Sequence, residues 1–126
     1  MEKPESRQKA VVEEYFEGFR RSDHARILAC LTDDVVWDLP GYAHLVGRQA
    51  FDQEIENDEF VGSPTLTVDR VVEDGDIVVA IGDGKATRTS GVIQRFVYSD
   101  VFTFADHRIC RVESYVVPLQ EAASSA

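Results

Sequence analysis

The spacing of apolar residues changes once along this chain, near Pro64, and no other feature of the sequence limits the fold as strongly. Over residues 5–21, Val11, Val12, Tyr15, Phe16 and Phe19 fall at helical spacing while Glu13, Glu14, Glu17 and Arg20 fall elsewhere, which predicts an amphipathic helix. Ser22-Asp23 ends it and caps a shorter second helix carrying Ala25, Ile27, Leu28 and Leu31, which closes at Thr32-Asp33-Asp34. A short strand over 35–39 is broken by Pro40-Gly41. A loop then runs to Gly47, and Phe51 and Ile55 mark a third small helix ending near Asn57-Asp58. After Pro64 the residues favour strands. Runs over 66–72 and 77–86 flank Glu73-Asp74-Gly75-Asp76, and runs over 93–104 and 109–117 meet at Ala105-Asp106-His107-Arg108, both tight-turn sequences. Helices first and a strand meander second is the α+β pattern. Three N-terminal helices packed on a curved, mostly antiparallel sheet make a cone-shaped roll whose open end is a pocket.

The length, 126 residues, fits one domain spanning 1–126, with an ordered core over about 5–117 and a small polar tail from Gln120. A hydrophobic content of 44% suffices for a core without staples, and Cys30 and Cys110, lacking C-x-x-C spacing, read as small buried hydrophobes. Thirteen basic against 23 acidic residues give a net charge of −10, which repels phosphate backbones and anionic lipid and argues against a nucleic-acid or membrane partner. The longest wholly apolar run, residues 77–81, is far short of the ~20 needed to span a bilayer. Charge at Glu2, Lys3 and Glu5 is unlike a signal peptide, so a soluble, cytoplasmic protein is expected. His24, His44 and His107 form no metal-binding spacing, and no metal is expected.

Alternation along the late strand puts Phe96, Tyr98, Asp100, Phe102 and Phe104 on one face, so a carboxylate stands in an aromatic row. If that row faces the pocket, desolvation raises the Asp100 pKa towards the range where a carboxyl donates a hydrogen bond. The same row facing a second copy, or pairing of Asp100 with Arg95 or Arg111, are the structural alternatives. Tyr15 lies on the apolar stripe of the first helix, either as an aromatic core residue or with its hydroxyl put to use. Period two joins Trp37 to Leu39 and sets Asp38 with Val36, so Trp37 and Leu39 line an apolar pocket with Phe51 and Phe102 when they point inward. On the last strand Cys110, Val112, Ser114 and Val116 form one face and Arg111, Glu113 and Tyr115 the other, and either set can line the pocket. His44, in the loop at the mouth, is a second candidate proton carrier or a solvated surface residue. Gly82 and Gly84 read as marks of bulges in a bent sheet.

The order of elements resembles the nuclear transport factor 2-like superfamily, in particular its SnoaL-like and ketosteroid isomerase-like branch. The resemblance is carried by Val11-Val12-Glu13-Glu14-Tyr15-Phe16, Asp23-His24-Ala25-Arg26-Ile27-Leu28, Asp33-Asp34-Val35-Val36-Trp37-Asp38-Leu39-Pro40-Gly41, Gly47-Arg48-Gln49-Ala50-Phe51 and Tyr98-Ser99-Asp100-Val101-Phe102-Thr103-Phe104. It implies that Tyr15 and a protonated Asp100 form an oxyanion hole and that an aspartate just before the proline is the general base. Asp38 takes that place when counted back from Gly47, and Leu39 takes it when counted from either Tyr15 or Pro40. The resemblance further implies no organic cofactor and a homodimer with paired sheet faces. The superfamily holds isomerases, cyclases, hydrolases and non-catalytic members, so activity rests on the site. The leading expectation is an isomerase or cyclase moving a proton next to a carbonyl of a small apolar substrate, with Asp38 or His44 as base. Its rivals are a non-catalytic domain that holds a hydrophobic ligand and a dimeric interaction domain.

Overall fold

The computed structural model describes residues 6–56 and 59–120. The helix start expected at Glu5, the helix end at Asn57-Asp58 and the tail beyond Gln120 lie outside them. Helix α1 (Arg7–Arg20) is capped by the Ser6 hydroxyl, which accepts from the Lys9 amide at 3.0 Å, and it turns Val12, Tyr15 and Phe16 onto the sheet. Helix α2 (His24–Leu28) is capped by Asp23 as expected, but it stops short of Leu31. Residues read as its closing turn open strand β1 (Leu31–Leu39) instead. There the pairing with the last strand slips between Leu31 and Val36, so the two aspartates Asp33 and Asp34 sit in an irregular stretch of strand.

The loop expected up to Gly47 contains a short strand, β2 (Ala43–Val46), hairpinned back on β1, and helix α3 (Arg48–Glu54) follows. Strands β3 (Phe60–Asp74), β4 (Ile77–Arg88), β5 (Ile93–Ala105) and β6 (Arg108–Pro118) make the meander. The sheet order is β2-β1-β6-β5-β4-β3, antiparallel throughout except for the β1–β6 pair. Both expected hairpin turns form. At the first, Gly75 alone of the two loop residues has positive φ, and at the second Asp106 and His107 both do.

The sheet bends because of two features on facing strands. Strand β3 carries irregularities between Val61 and Thr65 and between Val68 and Arg70, while β4 presents Gly82 and Gly84 to it. The glycines pair with Val68 and Leu66, in the regular stretch between the two irregularities, and lie in neither of them. A Cβ on Gly82 would stand 1.9 Å from the Thr67 carbonyl oxygen and 2.8 Å from the Tyr98 hydroxyl, so the ring of Tyr98 folds over a place only glycine leaves open. Gly82→Ala is expected to lose about 2–4 kcal/mol in urea unfolding, because backbone and not a movable side-chain tip is in the way.

Candidate functional site

Each wall of the site comes from the alternation of one element. Helix α1 supplies Tyr15, Phe16 and Phe19, β1 supplies Trp37 and Leu39, β3 Pro64 and Leu66, β5 Phe96, Tyr98 and Asp100, and β6 Ser114 and Val116. They enclose a cavity of about 150 Å³. Phe102 and Val112, next inward on β5 and β6, are fully buried beneath it, and Phe51 of α3 lies under Trp37 with the rings stacked at 4.2 Å. These three residues therefore support the cavity without lining it. Tyr15 meets Phe102 edge-on at 5.0 Å, which fixes its ring against the floor.

Asp100 is only 8% exposed. Its cross-strand neighbours are Ala80 on β4 and Ser114 on β6. Burial pushes its carboxyl up to about 7, and a hydrogen bond with the Ser114 hydroxyl pulls it partly back. The Trp37 indole N–H donates to Ser114 Oγ at 3.0 Å, so Ser114 is held from one side while it serves Asp100 on the other. Burial first, and then the nearby Asp100 charge, raise the Tyr15 hydroxyl well above its ordinary value. Burial likewise raises Tyr98, whose hydroxyl donates to the Thr67 carbonyl at 2.9 Å. At neutral pH the cavity thus presents neutral phenols and one carboxyl poised between its two forms.

Asp38 and His44 stand elsewhere. Alternation in β1 turns Asp38 to the opposite face from Trp37 and Leu39, where it is bonded to His44 and Arg111. His44 first, and Arg111 after it, hold the Asp38 carboxyl below the usual range. Neither Asp38 nor His44 lines the cavity. On β6 the inward set is Val112, Ser114 and Val116, while Cys110 drops out because the pairing slips between Thr103 and Phe104 and Ile109 takes the buried place. Phe16, Phe19, Pro64, Leu66, Phe96 and Tyr98 line the cavity without having been expected to. For Phe96 and Tyr98 the signal was present in the row they share with Asp100, and for Phe19 in its place one turn beyond Tyr15. Pro64 and Leu66 depend on the bulge in β3, which carries no clear mark in the sequence. Among the described residues no group of three His, Cys, Asp or Glu side chains is arranged to hold a metal, and no helix is long and apolar enough to cross a membrane.

The fold and the sequence have relatives. An NTF2-like protein of unknown function from Burkholderia pseudomallei superposes with a TM-score of 0.82 at 23% identity, covering 90% of this chain and 92% of that one. TerC co-crystallised with polyporic acid gives 0.80 at 22%, covering 89% and 92%. A putative polyketide cyclase from Xanthomonas campestris pv. campestris gives 0.79 at 26%, covering 86% and 89%. No curated protein sequence matches the chain. The sequence profile of the SnoaL-like domain matches residues 12–112. With a curled α+β fold like that of the NTF2-like protein and that match over most of its length, the chain belongs to the SnoaL-like domain family.

Proposed function

We propose that this protein binds a small, largely apolar carbonyl compound in the cavity and that Asp100 moves a proton at the carbon beside the carbonyl. The observation that carries the reading is the Asp100 carboxyl, buried among aromatic rings and raised to about 7. In its ionised form Asp100 takes the proton, the electron pair of the broken C–H bond forms the enolate C=C bond, and the oxygen gains the charge. The neutral Tyr15 hydroxyl donates to that oxygen in a water-poor site, where such a bond is worth most. Returning the proton to another carbon completes an isomerisation. Attack by the enolate carbon on a second carbonyl instead closes a ring, which accords with the relative described as a putative polyketide cyclase. The outward pairing of Asp38 with His44 favours Asp100, and not either of them, for the proton transfer.

A fluorescent phenol that mimics the enolate tests the site. Its affinity is expected to fall by about 1–3 kcal/mol in Tyr15→Phe, which removes the donor to its oxygen. An unchanged titration curve in that variant would remove the reading, and tight binding without proton exchange would favour a ligand carrier instead. The outer sheet face carries exposed Val97, Val117 and Tyr115, of which Val97 and Val117 are cross-strand partners, beside the Asp38–Arg111 pair. This supports pairing of two copies through that face. Sedimentation is expected to show a dimer that Val97→Glu turns into a monomer, and a wild-type monomer at micromolar concentration would refute it.

A further inference from the structure

The cavity beside Asp100 does not end at Trp37. It shares Trp37, Pro64, Phe96 and Val116 with a wider chamber of about 340 Å³ that extends to Arg88 and Gln94. The inner space, about 150 Å³, has room for one six-membered ring. Along β5, from Asp100 through Tyr98 and Phe96 to Gln94, one wall runs past both chambers for on the order of 20 Å of strand. A ligand confined to a single ring therefore leaves the outer apolar wall wet.

Among the described residues lining either chamber, Arg88 is the only cation. Its guanidinium carbon lies 5.1 Å from the centroid of Phe60, its cross-strand partner, so stacking holds the group in place. Stacking occupies a face of the guanidinium and leaves its N–H edge for a planar acceptor. The Glu59 carboxylate, at 3.9 Å, is at the outer limit of an ion pair. The acid on the chamber wall, Glu56, is engaged by His24 at 2.5 Å. A carboxylate matches the guanidinium edge with two parallel hydrogen bonds, which a point charge does not reproduce.

We propose that the outer chamber is a second subsite, which takes an apolar ring or arm ending in a carboxylate that Arg88 holds. The natural ligand is then a two-part acid, with its carbonyl-bearing ring at Asp100 and Tyr15 and its carboxylate at Arg88. The assignment of the inner end rests on the function proposed above, whereas that of the outer end does not. The chain's net charge of −10 disfavours an acid at long range, so selection depends on contact with Arg88.

Four probes separate the parts: phenol, 4-phenylphenol, 4′-hydroxybiphenyl-4-carboxylate and the matching carboxamide, each titrated calorimetrically into the full chain. The second ring is expected to tighten binding at least about tenfold over phenol, and the carboxylate to bind about tenfold tighter than the carboxamide. That preference should vanish in Arg88→Gln and return only in part in Arg88→Lys, with circular dichroism showing that both variants fold. A carboxylate no tighter than its amide on the wild type, a preference that survives Arg88→Gln, or no binding of any two-ring probe would overturn the proposal. If Tyr15→Phe leaves all affinities unchanged while the Arg88 preference persists, the outer subsite stands and the proton-transfer reading falls.

Discussion

Replacing Asp100 with asparagine is expected to remove activity and add stability in the same molecule. With 2-tetralone as a probe, solvent-deuterium incorporation next to the carbonyl, followed by mass spectrometry, should slow by about 10²–10⁴-fold in Asp100→Asn. The wild-type rate should rise with pH and level off above about 7, as the carboxylate form accumulates. Asp38→Asn and His44→Gln should leave the rate within about twofold, since both side chains face away from the cavity. Loss of exchange in Asp38→Asn with normal exchange in Asp100→Asn would return the base to Asp38.

The stability half follows from proton linkage. Folding carries Asp100 from an ordinary 3.8 to about 7, so between these values the folded state holds a proton that the unfolded chain has released. The Asp100 contribution to stability therefore declines as pH rises from about 4 to about 7 and is fully lost above that. Asparagine keeps the shape without the charge. Urea unfolding should find the two proteins alike near pH 4 and Asp100→Asn more stable by on the order of 4 kcal/mol at pH 8. A gap that does not vary with pH would mean that Asp100 is not held in a desolvated place.

Phe102→Ala is expected to be the most damaging single truncation. Phe102 is fully buried and meets Tyr15 at 5.0 Å and Phe16 at 5.8 Å, both edge-on, so its loss opens a hole beneath the cavity. The cost is about 3–5 kcal/mol, equivalent to a fall in Tm on the order of 15 °C for a domain of this size. Phenol binding should weaken along with stability, because the Tyr15 ring loses the surface it rests on. A loss below about 1 kcal/mol would show that the floor collapses without strain.

The legible part of the fold was its periodicities. Helical spacing around Tyr15, alternation around Asp100 and the two turn sequences located α1, β5 and both hairpins, and alternation in β1 already set Asp38 apart from Trp37 and Leu39. What stayed hidden depends on contacts between distant segments. Leu31 reads as helix by spacing, yet it pairs with Ile109 in the parallel β1–β6 ladder, which no local signal announces. Asp33 and Asp34 read as a turn because an irregular stretch of strand tolerates the same polar residues. The Ala43–Val46 segment is too short to alternate visibly, and it is a strand because β1 lies beside it. For the site, alternation supplied direction but not depth. Phe102 and Tyr98 share one face, and only the packing of α1 and α3 makes the first a floor and the second a wall.

Pro64 connects the cavity to a different matter. Strand β3 ends the sheet, and a fifteen-residue edge with free amides would invite other chains to add to it. Pro64 has no amide hydrogen, and it sits in the irregular stretch between Val61 and Thr65 beside Gly62, whose φ of 68° breaks the line of the strand. The bend that folds β3 over the ligand space thus also spoils the template on which an aggregate would grow. A variant with a straightened β3 would lose a wall of its cavity and become adhesive at the same time.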